Sequence, residues 1–309
     1  MAAGNDPVPM HRSDWTLLVL LSVLWGGSFF FNGVALRELP PLTVAFVRVL
    51  LGALCLLAVI GPLGGRLPTR LRDSLPFAVM GLLNNVIPFS LFLAAQTMIS
   101  SGLAAVLNAT TPLFTVLVLA SFGEERLNAR RIAGVVIGLG GVTLLRAPGL
   151  SAADQALGIG LCLAGAVSYG FSGLWGRRRL AGVPPLTAAA GQLISSAAIM
   201  AVVAGAADRP WTLPLPGAAT IAALIGLAAL STALAYILFF RIMSRSGATN
   251  VMLVTLLIPV TAILLGHFLL AETLTLREVA GALVIATSLL VIDGRAFALL
   301  RPGGRPTKA

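Results

Sequence analysis

The chain has 309 residues, of which 58% are hydrophobic and 10% are charged, and its formal net charge is +10. Its mean hydropathy of +0.97 excludes an ordinary soluble globular protein and predicts an integral membrane protein. Because the arginines stand between apolar runs, we expect the positive charge to orient the chain in a membrane and not to bind nucleic acid.

Ten apolar runs are candidate transmembrane helices, because a bilayer core needs about 20 apolar residues per helix. The first run is too long for a signal-peptide core and no convincing cleavage site accompanies it, so it is expected to be retained. Turn and charge signals separate the runs, and no soluble domain fits between them. The predicted runs are 15–36, 42–61, 75–98, 103–122, 131–146, 157–175, 185–206, 218–240, 248–270 and 278–294.

The second half of the chain repeats the first. The tetrapeptide Pro-Pro-Leu-Thr at 40–43 recurs at 184–187, an offset of 144 residues. Other positions keep a register of 144 or 147 residues, namely Trp25 and Tyr169, Ser28 and Ser172, Arg48 and Gln192, Pro112 and Pro259, Glu125 and Glu272, and Gly134 and Gly281. A unit of about 145 residues is therefore written twice. The expected segments are a tail at 1–14, a first repeat at 15–146, a linker at 147–156, a second repeat at 157–294 and a tail at 295–309.

Positive residues fall mainly on one side of the predicted membrane. Of the 21 arginines and lysines, 16 lie on the side of the N-terminus, four lie on the opposite side, and Arg48 lies within the second helix. The positive-inside rule then places both termini in the cytoplasm. Five helices per copy is an odd number, so we predict ten transmembrane helices as two inverted five-helix repeats. Inverted repeats are typical of secondary transporters, whose substrate site lies near the midplane between the repeats.

Three predicted helices carry a proline four residues after a polar side chain. These pairs are Asn84 with Pro88, Asn108 with Pro112, and Thr255 with Pro259. Proline has no N–H, so the carbonyl of each polar residue loses its helical partner. An unpaired carbonyl is tolerated mainly where it meets another helix or lines a wet cavity. We predict that the polar residues lie on a substrate path and that the prolines kink the helices. The alternative is that the kinks pack against neighbouring helices and the side chains bond locally.

Aromatic and hydroxyl side chains on other helices extend the predicted binding site. Trp25, Ser28 and Asn32 share one face of the first helix, a combination that suits a small amphipathic ligand. Similar groups are supplied by Tyr169 and Ser172 on the sixth helix and by Ser231 and Tyr236 on the eighth. For Trp25 the alternative is an aromatic side chain packed between helices. Separately, Gly134 and Gly138 predict a close helix contact or a dimer face.

Two ionisable side chains lie within predicted helices. Arg48 is the one charge well inside a helix, and such residues are functional candidates. A structural or gating role is the favoured interpretation, and pairing with a substrate carboxylate is the alternative. His267, in the outer third of the ninth helix, is a candidate for proton coupling because histidine titrates near neutral pH, although packing is its commoner role.

Several chemistries are missing from the sequence. The 11 acidic residues fall in tails, loops or helix ends, so neither a buried proton relay nor a divalent-cation site is evident. Cys55 and Cys162 both lie in apolar runs, which makes a disulfide or metal pair improbable. There is no phosphate-binding loop and no nucleophile with a base and an orienting partner. We therefore expect no cofactor, no metal and no enzymatic activity.

A known family matches these features. Trp25-Gly26-Gly27-Ser28-Phe29, Pro41 followed by Arg48, and Ser101-Gly102 leading to Pro112 and Gly123-Glu124 resemble the EamA-type transporters of the drug/metabolite transporter superfamily. Within that group the chain is most similar to the YddG-type amino-acid exporters. The resemblance covers nearly the whole chain and implies a ten-helix basket in a bacterial inner membrane, with a cavity lined chiefly by helices 1, 3, 4, 6, 8 and 9. The second copy departs from the pattern at Gln192, where arginine is expected, and at Ala271, where glycine is usual.

The expected function is export of aromatic and other neutral amino acids by alternating access. Facilitated transport is favoured because no acidic residue lies at the midplane. The expected partners are the small-molecule substrate and the lipid bilayer, with the chain acting as a monomer or homodimer. One alternative is a drug or nucleoside-type metabolite exporter of the same superfamily. An alternative of a different class is an integral-membrane enzyme acting on lipid-linked substrates.

Overall fold

The structure is a computed structural model that describes residues 11–62, 67, 71–145, 152–246, 248–251, 253–273 and 275–293. None of these residues forms a β-strand. Of the predicted tails and linker, residues 1–10, 147–151 and 295–309 lie outside the described residues.

Helices occupy all ten of the predicted apolar runs. Four runs consist of more than one helical segment, and two of these contain a π-helical turn, at Leu82–Val86 and at Gly226–Leu234. In chain order the α-helices are α1 Arg12–Ala35, α2 Pro41–Ile60, α3 Leu71–Gly81, α4 Ile87–Gln96, α5 Ser101–Asn108, α6 Thr111–Ser121, α7 Ala129–Leu144, α8 Ala152–Arg179, α9 Pro185–Ala207, α10 Ala218–Ile225, α11 Ala235–Ser246, α12 Ala248–Val251, α13 Val254–Leu270 and α14 Leu276–Asp293.

Seven continuous helical stretches are long and apolar enough to cross a membrane, and Val254–Leu270 is a shorter apolar helix. Large apolar side chains such as Val202, Phe268 and Leu283 are exposed on the outer surface, where lipid tails rather than water would cover them. These features confirm the prediction of an all-helical integral membrane protein.

The two halves contain the same succession of helices. Helices α1 to α7 and the first π-helical turn are followed by α8 to α14 and the second π-helical turn in the same order. Packing repeats as well, because α1 lies on α13 as α8 lies on α6, and α4 lies on α8 as α11 lies on α1. The equivalent helices α2 and α9 contact each other, as do α7 and α14. The polar groups of α2, α4, α9 and α11 are thereby brought to the contact between the halves.

Small residues allow α7 and α14 to approach closely. A Cβ atom at Gly134 would lie 3.0 Å from the carbonyl oxygen of Ser288, and one at Gly281 would lie 3.0 Å from that of Gly141. The close helix contact predicted from Gly134 and Gly138 is therefore confirmed, and it joins two helices of the same chain.

Two of the predicted proline kinks have different surroundings. Helix α5 ends at Asn108 and α6 begins at Thr111, so the chain breaks immediately before Pro112. In the equivalent region α12 ends at Val251, and Pro259 lies inside α13. The break in the second copy is therefore nearer to the N-terminus than the position of Pro259 predicts.

Candidate functional site

A polar network lies where the first π-helical turn meets α9 and α11. The turn carries two consecutive asparagines, Asn84 and Asn85, and its widened register is closed by a bond from the Ile87 N–H to the Leu82 carbonyl. Such single π-helical turns occur frequently at functional sites. Asn84 Nδ2 donates to Gln192 Oε1 and to the Tyr236 hydroxyl, each at 3.1 Å. Asn84 thus joins α9 and α11.

Asn85 continues the network into the interior. The Tyr236 hydroxyl donates to Asn85 Oδ1 at 3.1 Å, and Asn85 Nδ2 donates to Ser196 Oγ at 3.0 Å. Ser196 Oγ in turn donates to the Gln192 carbonyl at 2.6 Å. Ser172 Oγ lies 3.1 Å from Asn84 Oδ1 and 2.8 Å from the Tyr169 carbonyl oxygen, and can donate to either. We call Asn84, Asn85, Ser172, Gln192, Ser196 and Tyr236 the central network. A buried network with its bonds made fixes the relative position of the helices that supply it.

Close backbone contact brings α3 to α9 beside this network. A Cβ atom at Gly81 would lie 2.6 Å from both the Gln192 carbonyl oxygen and Ser196 Oγ. No residue larger than glycine fits there without a shift of one helix. Gly81 therefore positions Asn84 and Asn85 against α9.

Arg48 borders the network from α2. Its side chain is 7% exposed, its Nε donates to Thr232 Oγ1 at 3.1 Å, and its guanidinium carbon lies 3.8 Å from the centre of the Phe89 ring. This is cation–π geometry. Thr232 belongs to the second π-helical turn and donates to the Leu227 carbonyl at 2.9 Å. Within the described ranges, no carboxylate lies within 4 Å of Arg48.

The contacts of Arg48 and Gln192 are equivalent in the two halves. These residues occupy matched positions of the repeat, on α2 and α9. Arg48 bonds Thr232 in the π-helical turn of the second copy, and Gln192 bonds Asn84 in the π-helical turn of the first. A residue of each copy therefore bonds the π-helical turn of the other copy, and the central network lies at the contact between the copies.

Aromatic rings border the central network. The ring centres of Trp25 and Phe239 lie 5.4 Å apart, and Tyr236 stacks on Phe240 with ring centres 6.2 Å apart. Tyr169 stacks on Phe92 at 6.2 Å. Trp25, Asn84, Tyr169 and Tyr236, all predicted as site residues, are half-buried. Polar groups flanked by rings can hold a small molecule that has both polar and apolar parts.

Other predicted residues lie outside the central network. Ser28 Oγ donates to the Trp25 carbonyl within α1 at 2.6 Å. Asn32 donates to Gln96 Oε1 at 2.8 Å, and its own Oδ1 is buried without a partner in the described part of the chain. Ser231, beside Thr232, is 1% exposed, and its hydroxyl likewise has no partner among the described residues.

The residues beside Pro112 and Pro259 also differ from those beside Pro88. The carbonyl of Asn108 accepts a hydrogen bond from Thr111 Oγ1 at 2.7 Å, so a nearby hydroxyl bonds it. The Asn108 side chain is half-buried, as is Thr255 in the first turn of α13.

His267 is exposed near the end of α13, where its Nδ1 lies 3.0 Å from the Glu272 carbonyl oxygen. It has no contact with the central network.

An apolar groove lies away from these polar groups. Its volume is about 260 Å³, and it runs between α5, α13 and α14, lined by Val106, Leu256, Leu283 and similar side chains. Because Leu283 and its neighbours also form the exposed apolar surface, the groove faces the lipid side of the protein. Pro259 also lines the groove, but none of the polar residues of the predicted substrate path does.

Five residues of the site were not predicted as site residues. These are Asn85, Phe89, Gln192, Ser196 and Thr232. The sequence contained a signal for Gln192 as a site residue, because Gln192 replaces arginine at the position that matches Arg48. Asn85 had a weaker one, as the neighbour of Asn84.

The chain contains two copies of a helix unit with interrupted helices, and a polar network inside an apolar shell joins them. This is the architecture of a membrane transporter. The EamA-like transporter family matches residues 14–147 and 156–293, so the chain belongs to that family and the predicted membership is confirmed. It is therefore a transporter and not an enzyme, and the alternative of an enzyme acting on lipid-linked substrates is set aside.

Several relatives cover almost the whole chain. An uncharacterized inner membrane transporter, YedA of Escherichia coli K12, is 31% identical over 284 residues, covering 91% of each chain. A probable amino-acid metabolite efflux pump of Salmonella typhimurium is 28% identical over 295 residues, covering 91% of this chain and 95% of its own length. A crystal structure of a protein 22% identical in sequence has a TM-score of 0.66 and covers 94% of this chain and 100% of its own. It supports the fold.

Proposed function

We propose that this transporter exports amino acids, aromatic and other neutral ones, across the inner membrane by alternating access. The observation that carries the proposal is the central network of neutral polar groups, bordered by aromatic rings and by one buried arginine. Relatives in Salmonella typhimurium and Escherichia coli K12, 28% and 26% identical, are named probable amino-acid metabolite efflux pumps. YedA is named an inner membrane transporter, which supports the same membrane here.

The proposed architecture is ten transmembrane helices in two inverted repeats, at 15–146 and 157–294, with both termini in the cytoplasm. The repeated order of helices and the matched packing pairs support it, as does the excess of positive residues on one side. We propose Trp25, Asn84, Tyr169 and Tyr236 as substrate contacts, with Asn108 and Thr255 further along the path. Pro88 and Pro112 lie at the interruptions of their helices, whereas Pro259 lies inside α13, after the interruption. All these residues belong to one chain, so a monomer can hold a complete site.

We propose that transport is facilitative. The central network contains amides, hydroxyls and a phenol, and no aspartate or glutamate of the described chain belongs to it. Proton-driven carriers commonly use a buried carboxylate as the relay. The exposed position of His267 argues against a relay through that residue.

The test is uptake of labelled phenylalanine, threonine and methionine by liposomes that contain the purified protein. It is measured first without an ion gradient and then with an imposed pH difference. Saturable uptake without a gradient supports a facilitative amino-acid carrier. Strong dependence of counterflow on the pH difference contradicts facilitation, and His267→Ala is then the next variant. Absence of uptake of any of the three under either condition contradicts the amino-acid assignment and moves the function to a drug or nucleoside-type metabolite.

A further inference from the structure

We propose that the guanidinium group of Arg48 binds the carboxylate of the transported molecule, so that the substrate class is monocarboxylates with an apolar or neutral side chain. This inference rests on the proposed function, because it assigns a binding residue to the same substrate site. It would explain why an arginine is buried at the contact between the two copies.

The charge of Arg48 has no counter-ion within the described ranges. Among the described residues, its side chain makes one hydrogen bond, from Nε to Thr232, and one ring contact, with Phe89. Both terminal nitrogens keep their donors, since neither bonds a protein group in the described part of the chain. A buried charge without a charged partner is unfavourable, because one hydrogen bond and one ring contact replace only part of the hydration that it loses. An arriving anion would supply that partner.

The acidic residues around the same ends of the helices are already bonded. Asp208 accepts from the backbone N–H and the hydroxyl of Thr43, five residues before Arg48 in α2. Glu38 accepts from the Gly217 N–H, and Glu272 accepts from the N–H groups of Ser101 and Gly102. Each of these carboxylates holds the start of a helix or loop. None is available to neutralise Arg48 without breaking those contacts.

The contacts around Arg48 leave one edge of the guanidinium without a hydrogen-bonding partner among the described residues. Phe89 lies against its flat face and Thr232 occupies Nε, so the two terminal nitrogens remain as a pair of parallel donors. A carboxylate matches this pair in a bidentate geometry, whereas an amine has no acceptor to offer it. Tyr236 follows Thr232 by one helical turn, and Asn85 precedes Phe89 by one turn, so a bound carboxylate lies beside the central network.

The matched position in the second copy limits the number of carboxylates. Gln192 is neutral and its Oε1 already accepts from Asn84. The site therefore offers one positive charge and not two, which suits a molecule with a single carboxylate. A dicarboxylate would leave one anion without a cation.

The test compares ligands that differ only in their charged groups, with the full chain in liposomes. Labelled phenylalanine uptake is competed with unlabelled phenylalanine, with 3-phenylpropionate, which lacks the amine, and with phenethylamine, which lacks the carboxylate. We expect phenethylamine to compete about 10- to 100-fold more weakly than phenylalanine, the range expected for loss of a charge-assisted hydrogen-bonded pair. Equal competition by phenethylamine and phenylalanine would overturn the inference.

Variants of Arg48 give an independent measurement. Arg48→Gln should reduce the efficiency of phenylalanine uptake by about 10- to 100-fold, and Arg48→Lys, which keeps the charge but loses the paired donors, should reduce it less. Arg277→Gln makes the same change of charge at an exposed position and is the matched control. Unchanged uptake by Arg48→Gln would overturn the inference.

Thermal unfolding of the purified protein separates this inference from the proposed function. The Tm of Arg48→Gln should equal or exceed that of the wild type, because the variant removes a buried charge that has no counter-ion among the described residues. A large fall in Tm would instead show a structural role and overturn the inference. If the wild type transports no amino acid, 3-phenylpropionate should still raise its Tm and leave that of Arg48→Gln unchanged. Stabilisation of neither protein would overturn the inference too.

Discussion

Asn84 Nδ2 donates to Gln192 Oε1 at 3.1 Å, and this bond is the counterpart of the bond from Arg48 Nε to Thr232 Oγ1 in the other half of the molecule. Each bond joins a π-helical turn of one copy to an unbroken helix of the other. If transport moves the two copies relative to each other, these contacts lie at the moving boundary. A ligand bound there would contact both copies at once, as alternating access requires.

The hydroxyl of Tyr236 supports the central network, whereas that of Tyr169 does not belong to it. Tyr236→Phe keeps the ring stacked on Phe240 but leaves Asn84 and Asn85 each without one partner, so we expect the free energy of unfolding to fall by about 1–3 kcal/mol. Tyr169→Phe is the matched control. Its ring contact with Phe92 stays, and we expect little change in Tm. A larger loss of Tm in Tyr169→Phe than in Tyr236→Phe would contradict the network as described.

The contact at Gly81 should tolerate no side chain. Gly81→Ala places a methyl group against the Gln192 carbonyl oxygen and Ser196 Oγ, so we expect it to cost about 1–3 kcal/mol by overpacking. Gly160→Ala in α8 has no atom within 4 Å of the new methyl group and should stabilise the helix by about 0.5–1 kcal/mol. Thermal unfolding in detergent measures both. Equal effects of the two substitutions would show that α3 and α9 do not approach as closely as described.

Ala271 ends α13 in a conformation that disfavours it. Its φ of 57° and ψ of 29° lie in the left-handed region, where a Cβ atom is strained. Ala271→Gly should therefore raise the free energy of unfolding by about 1 kcal/mol, as at other glycine-ended helices. Ala201→Gly, exposed within α9, should lower it by a similar amount. Two changes of the same sign would contradict this account of the helix end.

Chemical labelling tests the proposed orientation of the chain in the membrane. Leu215 is 97% exposed in the loop before α10, and Leu127 is exposed between α6 and α7 beside several arginines. With Cys55 and Cys162 replaced by alanine, Leu215→Cys should react with a membrane-impermeant maleimide in cells whose inner membrane is intact. Leu127→Cys should react only after that membrane is permeabilised. The reverse pattern would place the termini outside.

The sequence predicted the helices because apolar runs and prolines are local signals, and it predicted the repeat because one tetrapeptide and several single residues recur in register. It also predicted Asn84 and Tyr236 as site residues, and the structure places both in the central network. It did not predict that they bond each other, because their pairing depends on the register of helices 152 residues apart in the chain. The π-helical turns had no local signal of their own. At Asn108 the prediction missed a local contact. A hydroxyl three residues away bonds the carbonyl that Pro112 leaves unpaired.

The most direct test of the account is counterflow of labelled phenylalanine in liposomes that contain either the wild type or Asn84→Ala. Asn84 bonds Gln192 and Tyr236 and keeps accessible surface, so its truncation removes the polar contact at the centre of the site. Gly160→Ala serves as the control for reconstitution. We predict saturable counterflow by the wild type and the control, and a loss of about tenfold or more in Asn84→Ala. Equal counterflow by all three proteins would contradict a substrate path through the central network.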